Sequence, residues 1–241
     1  MTDVETTVPD SATSSAVISV VVPAHQATLY LAECLESILT QTRMPDEVVV
    51  VDDGSTDATA AIASGFGPLV RVISTPHAGT AAARNTGIAA ATGNVIALCD
   101  DDDLWLPDKL SLQLDALGDP SAEAAVFCGV SEFLSPEIDP ATAPGRTPFG
   151  EVTRARLPSA LMVTTAALRR VGPFAGRATD SEWVPWCVAL TDGVPSIGFV
   201  DQVLVRRRIH AANKSLQAST DRASWSTALR SHLAVRRREQ R

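Results

Sequence analysis

The chain has 241 residues, of which 45% are apolar and 20% charged, and a chain of this size hides roughly 70% or more of its unfolded surface, so a disordered or fibrous protein is excluded. No apolar run exceeds five residues, against the roughly 20 that a bilayer span needs, and the N-terminus is acidic and rich in Ser and Thr, so neither a membrane span nor a signal peptide is expected and the protein is placed in the cytoplasm. The net charge of −8 argues against a nucleic-acid binder, yet residues 206–241 carry ten Lys and Arg against Asp221 and Glu239, which leaves −16 on the body.

Residues 1–16 are too polar to pack and read as a loose tail. Residues 17–22 (VISVVV) are almost wholly apolar, as a strand buried on both faces of a parallel sheet should be. Thr28 then precedes Leu29, Leu31, Leu35, Ile38 and Leu39, whose spacing puts them on one face of a helix that Thr28 caps. Residues 47–51 (EVVVV) give a second buried strand that ends in Asp52, Asp53 and Gly54, and Asp57 caps the helix after it. Residues 69–74 supply a third strand, 80–91 a helix, 94–99 (NVIALC) a fourth strand and 203–205 a last one. Repeated βα winding with right-handed crossovers predicts an α/β fold with a mostly parallel central sheet flanked by helices. Cys34, Cys99, Cys128 and Cys187 lack the paired spacing of a zinc site or a redox dithiol and fit buried positions in a reduced interior.

In such sheets ligands bind beyond the carboxyl ends of the strands. Both acid clusters fall there: Asp52 and Asp53 after the second strand, Asp100 to Asp103 after the fourth. Four adjacent carboxylates repel one another and need solvent, a cation or raised pKa values. Their place directly after a buried strand favours a cation, and oxygen ligands without a nearby thiol pair or histidine favour Mg2+ or Mn2+ over zinc. A metal held this way usually shares its shell with phosphates, so a nucleotide-like diphosphate is the natural ligand. Gly65 and Gly67 lack the third glycine of a dinucleotide fingerprint, and Lys214-Ser215 has no Gly-rich loop before it, which weakens both a dehydrogenase and a P-loop NTPase.

The strings Val20-Val21-Val22-Pro23, Val51-Asp52-Asp53-Gly54-Ser55-Thr56-Asp57, Ala83-Arg84-Asn85-Thr86-Gly87 and Asp100-Asp101-Asp102-Asp103-Leu104-Trp105-Leu106-Pro107 occur in order and in register. In this the chain resembles the family 2 glycosyltransferases of GT-A fold, closely over residues 17–117 and more loosely to about 216. The resemblance implies an inverting transfer of sugar from a nucleotide-diphosphate donor to an acceptor hydroxyl on a glycan, a lipid-linked carrier or a small molecule. Pro23, Ala24 and His25 would line the base pocket, and Asp52 or Asp53 would accept hydrogen bonds from base or ribose, as an acceptor-only carboxylate can. Arg84 takes either a place near the donor or a structural pairing with one of the acids. Aligned on Trp105-Leu106-Pro107, the family's Asp-x-Asp falls on Asp100 and Asp102, with Asp102 the metal ligand and Asp100 at the ribose or the metal's water; a slip of one residue would give these places to Asp101 and Asp103.

Thr179-Asp180-Ser181-Glu182-Trp183 resembles the family's acidic base motif, with Thr179 where Glu is usual and Trp186 where Arg is common. Asp180 is the favoured base and Glu182 the alternative; both would otherwise be acids at a helix N-terminus. The segment 206–215 (RRRIHAANKS) resembles the family's basic stretch, in which His210 would approach the metal or the diphosphate and one of Arg207 and Arg208, which point to opposite faces, would neutralise phosphate. Trp105, Trp183 and Trp186 either pack the core or form an acceptor platform, with the core preferred. Residues 136–148, rich in Pro and Ala, read as a loop over the site. A basic helix over 217–241, with Trp225, Leu229 and Leu233 in line, docks on its own core or a second subunit in preference to a membrane surface.

The expected organisation is a tail over 1–16, a GT-A domain over 17–216 with a nucleotide-sugar half (17–117) and an acceptor half (118–216), and the C-terminal helix. The alternatives are a metal-dependent nucleotidyltransferase, whose basic Gly-rich signature Pro23-Ala24-His25-Gln26 does not supply, and a catalytically silent donor-binding scaffold.

Overall fold

The computed structural model describes residues 15–138, 153–175, 182–211 and 213. The expected tail up to residue 14, most of the loop over 136–148, Asp180 and the helix over 217–241 lie outside the described residues.

The chain runs β1 (Ile18–Ala24), α1 (Leu31–Leu39), β2 (Glu47–Asp53), α2 (Thr59–Ser64), β3 (Val70–Thr75), α3 (Thr80–Ala90), β4 (Val95–Leu98), β5 (Leu104–Trp105), α4 (Lys109–Leu117), β6 (Ala124–Leu134), β7 (Met162–Thr164), α5 (Thr165–Val171), α6 (Trp183–Gly193) and β8 (Ser196–Ile209). The strands form one sheet in the order β3-β2-β1-β4-β7-β6-β8-β5. The first four are parallel, as the βα winding predicts. Their apolar runs explain this: β1 and β4 are buried at every residue and β2 at all but its first, so both faces need a helical cover. The second half is mixed. The three-residue β7 runs antiparallel to β4 and β6, β6 pairs parallel with β8, and β5 returns antiparallel on β8. The strand expected at 203–205 is the middle of the 14-residue β8. None of the described helices is long and apolar enough to cross a membrane.

Helix α1 starts later than its periodicity suggests. Leu29 is 78% exposed and Tyr30 precedes the first helical residue. The Thr28 hydroxyl does not cap α1 but donates to Asp57 Oδ2, while Asp57 Oδ1 accepts from the Thr59 amide at 3.0 Å. Burial works against the Asp57 charge, but these donors outweigh it and hold the carboxyl down at about 2. One acid thus tethers the loop before α1 to the start of α2.

At the opposite edge Glu47 ties three elements together. Ser19 Oγ donates to Oε1 at 2.6 Å, Thr92 Oγ1 at 2.7 Å, and Arg71 reaches Oε2 at 3.2 Å. Burial opposes the charge, yet the hydrogen bonds win and lower the carboxyl from 4.5 to about 2. Its stabilising contribution is therefore complete above about pH 4.5 and disappears as pH falls towards 2. In urea unfolding, Glu47→Gln should lower stability most near neutral pH, and the gap from the parent should close across that acidic window. A gap independent of pH would contradict this.

Helix α3 lies on β1 and β2 at a separation that only glycine permits at one position. A Cβ on Gly87 would stand 2.3 Å from Val21 Cγ1 and 3.2 Å from Val51 Cγ2, and both valines are stiff and buried. Gly87→Ala should destabilise by about 1–3 kcal/mol through overpacking, even after the roughly 1 kcal/mol that alanine gains in helix propensity. Chemical denaturation decides it, and a stabilised variant would mean that α3 can lift off the sheet.

Candidate active site

At the carboxyl end of the parallel strands, three loops close on one another. Gln26 sits in the left-handed region with φ 54°, and its side chain is anchored to the loop after β2: its amide donates to Thr56 Oγ1 and its carbonyl accepts from the Thr56 N–H, each at 3.0 Å. Asp52 Oδ1 accepts from the Ser55 N–H at 3.1 Å. Asp53 is buried, and its two oxygens accept from the Ala78 and Gly79 amides at 2.8 and 2.9 Å. Gly54, with φ +70°, lets the next loop come so near that a Cβ would meet His77 N at 2.6 Å.

Immediately after Pro23 and Ala24, His25 joins this assembly to the second acid cluster. Its Nδ1 lies 2.8 Å from the Asp53 carbonyl oxygen, and its backbone N–H donates to Asp101 Oδ2 at 3.2 Å. The two acid clusters, about 45 residues apart in sequence, therefore meet at one edge.

Within the run of four acids each side chain has its own partner. Arg84, 4% exposed, donates from Nη2 to Asp100 Oδ1 and from Nη1 to Glu182 Oε1, both at 2.7 Å. Its guanidinium faces Phe174 at 5.6 Å and Trp183 at 5.9 Å, and its buried Nε has no partner among the described residues. Asp102 Oδ2 is contacted by His210 Nε2 at 2.8 Å and by Asn213 Nδ2 at 3.2 Å. Asp103 turns inward: Ser159 Oγ meets its Oδ2 at 2.5 Å, and the Arg208 N–H donates to Oδ1 at 3.1 Å. Burial first, and then the charges of Asp102 and Asp100, push its carboxyl well above the usual range. Asp100 and Asp102 keep 32% and 22% of their side-chain surface.

Strand β8 delivers the cations. Arg208 donates from Nε to the Asp102 carbonyl at 3.1 Å, pairs with Glu33, and lies over Tyr30 at 4.6 Å and Phe133 at 4.8 Å. Arg207 points away, to Glu132 at 2.7 Å. This is the opposition expected of neighbours on a strand. The His210 ring packs on Tyr30 at 4.7 Å.

Of the two readings for the tryptophans, core packing is what the fold uses. Trp105, Trp183 and Trp186 are all buried, and their indole N–H groups donate to the carbonyls of Ser159, Arg156 and Gly172. They do not form an acceptor platform. Trp183 instead walls Arg84, beside Phe174, whose backbone is held by the Asn85 amide at 2.8 and 2.9 Å. Ser159, Asn213 and His77 are constituents of this edge that sequence reasoning did not single out. His77 stands in a Gly-containing loop beyond a strand's carboxyl end and Asn213 in the segment 206–215 that resembles the family's basic stretch, whereas Ser159 carried no usable signal.

Asp102 offers a cation a part-exposed carboxylate with one imidazole beside it, and only one of its two oxygens is engaged among the described residues.

Residues 19–171, more than half of the chain, match the family described as Glycosyl transferase family 2. Among curated relatives, Glycosyltransferase GlyG of Streptococcus pneumoniae serotype 4 is 45% identical over 116 residues, covering 46% of this chain and 38% of its own length. Glycosyltransferase GlyA of the same organism is 44% identical over 92 residues, or 37% of this chain and 13% of that one. Chondroitin synthase of Pasteurella multocida is 37% identical over 100 residues, 40% of this chain and 10% of its own. The chain thus spans well under half the length of these relatives. Among solved structures, S. aureus TarS 1-349 in complex with UDP-GlcNAc has a TM-score of 0.67 at 21% identity, over 83% of this chain and 61% of that one. The mannosyltransferase PcManGT of Pyrobaculum calidifontis, in complex with GDP-Man and Mn2+, has a TM-score of 0.60 at 21% identity, over 84% and 59%. At that identity the likeness is one of fold, and the fold is the GT-A architecture expected from the sequence. With most of its length matched, its motifs in register and that architecture shared, the chain belongs to glycosyl transferase family 2.

Proposed function

We propose that the protein moves a sugar from a nucleotide-diphosphate donor to an acceptor hydroxyl, with inversion at the anomeric carbon and with Mn2+ or Mg2+ as cofactor. The observation that carries this reading is the meeting of the two acid clusters through His25, whose ring reaches the Asp53 carbonyl and whose amide reaches Asp101. It supports a base pocket adjoining a cation place, as a nucleoside joined to a diphosphate requires. That TarS and PcManGT carry UDP-GlcNAc and GDP-Man supports a donor of this class without selecting the base or the sugar.

In this reading Pro23, Ala24 and His25 bound the nucleobase, and Asp53, fixed by two backbone amides, shapes the pocket floor. Asp102 holds the cation, with His210 and Asn213 orienting its carboxylate and Asp100 alongside. The cation, when bound, neutralises charge on the departing diphosphate. Arg84 and Arg208 are the guanidinium groups nearest the acids and supply further positive charge to the same edge.

The displacement needs a base for the acceptor proton: the hydroxyl oxygen attacks the anomeric carbon, the bond to the phosphate oxygen breaks, and the proton passes to a carboxylate. We assign that proton to Asp180. Glu182 is already committed to Arg84 at 2.7 Å, which suits it to positioning that guanidinium.

Asp102→Ala should abolish the rise in melting temperature that a nucleoside diphosphate with Mn2+ gives the parent, a rise equivalent to about 2.7 kcal/mol when the ligand is at 100 times its Kd. Equal stabilisation of parent and variant would remove Asp102 from the cation place. Asp180→Asn should lower kcat by roughly 100- to 10,000-fold while donor affinity persists. Unchanged turnover would reassign the base, and no turnover in the parent with any nucleotide sugar would favour a donor-binding scaffold.

A further inference from the structure

A second group of metal-binding atoms gathers around Asp53. The ligand atoms of His25, Asp53 and His77 all fall within 4.8 Å of one another. The two imidazoles stack at 4.2 Å with 26° between their planes, which turns both Nδ1 atoms to the same residue: His25 Nδ1 is 2.8 Å and His77 Nδ1 3.1 Å from the Asp53 carbonyl oxygen. His77 Nδ1 also stands 2.9 Å from Asp53 Oδ2. We infer that His25, His77 and Asp53 form a second metal site, suited to Zn2+ or a similar borderline transition ion and distinct from the hard-cation place at Asp102.

The chemistry of the donors separates the two. Two imidazole nitrogens and one carboxylate oxygen are a ligand set that zinc takes up readily and magnesium does not. At Asp102 only one imidazole, that of His210, stands beside the carboxylate among the described residues. Tetrahedral zinc with bonds of about 2.0–2.2 Å needs its ligands on the order of 3.3 Å apart, and the 2.9 Å between His77 Nδ1 and Asp53 Oδ2 already lies near that spacing. The remaining approach falls to imidazole rotation, for which His77 is free enough at 52% side-chain exposure. Both Nδ1 atoms must be unprotonated to bind, so the ring proton moves to Nε2 and the hydrogen bonds to the Asp53 carbonyl are exchanged for metal bonds.

The outer support is already built. Asp53 is held by the Ala78 and Gly79 amides, whose hydrogen bonds fix its carboxylate in the way that supporting groups orient a metal's ligands. The close approach of the His77 backbone to Gly54, and the anchoring of Gln26 to Ser55 and Thr56, hold the loops that carry the two histidines. An ion there would occupy the place given above to the nucleobase, so Zn2+ would antagonise nucleotide binding. That consequence rests on the donor-site reading, whereas the ion site does not.

The test is a calorimetric titration of the chelator-treated full chain with ZnCl2, without nucleotide, alongside a Co2+ titration read by visible absorption. The parent and Asp102→Ala should each bind an ion at this site and develop the intense bands of a four-coordinate Co2+ centre. His77→Gln and, separately, His25→Gln should weaken binding by more than the roughly 10- to 100-fold that loss of a group merely supporting a ligand costs. Because no nucleotide is present, failure here is distinct from failure of the glycosyltransferase reading. The inference is overturned if no ion binds, if both histidine variants bind Zn2+ as tightly as the parent, or if Asp102→Ala alone removes the ion.

Discussion

Like-charge repulsion at one sheet edge is the constraint to which the rest of the structure answers. Asp52, Asp53, the run from Asp100 to Asp103, Glu33 and Glu182 are gathered where the strands end, and carboxylates so placed cannot all remain charged and unpaired. Each is dealt with by a different means. Asp52 and Asp53 take backbone amides. Asp100 and Glu182 share the buried Arg84. Asp102 has His210 and Asn213, and Glu33 has Arg208. Asp103 is buried deeply enough that its proton is retained far more readily. Burying a guanidinium costs several kcal/mol unless its partners are well placed. Arg84 meets that condition with two carboxylates and two aromatic faces, and among the described residues leaves only Nε unpaired.

The uneven charge along the chain follows from the same constraint. The acidic body lacks enough cations of its own at this edge, and Arg208 and His210, from the start of the basic C-terminal stretch, return to it. The basic start of the C-terminal stretch is thus in part an internal counter-charge, brought in by the last strand and aimed at the acids of the first half.

How much of this was legible depended on whether a residue's chemistry or only its position mattered. Strands β1, β2 and β4 were readable because burial on both faces demands unbroken apolar runs. Strand β7 was not: Met162–Thr164 is three residues long and passes straight into α5, so no periodicity separates them. Most of β8 was hidden because its polar residues interrupt the pattern outside Leu204 and Val205. The start of α1 was misplaced because Thr28 is a good cap by type, while the nearby Asp57 offers its hydroxyl a charged acceptor. At the site, acids at strand ends announced themselves by their cost. Ser159 and Asn213 are ordinary polar residues that become constituents only because the fold carries them to Asp103 and Asp102.

The position of the basic residues is itself decided at a distance, by a glycine in β6. Paired residues of β6 and β8 differ by 72 up to Cys128 and Val200, and by 75 from Val130 and Val205 onward, with register breaks on both sides of Gly129. A shift by an odd number of residues exchanges the two faces of a strand. Without the break, the position opposite Phe133, which now carries Arg208, would carry Val205, and Arg208 would lie past the end of β6, away from Asp102 and Glu33. The irregularity needs glycine, because a Cβ at residue 129 would stand 2.6 Å from the Gln202 carbonyl oxygen, where β8 folds its extra residues. The last strand therefore reaches the acids with the right side chain forward only because an interior strand lacks one carbon atom.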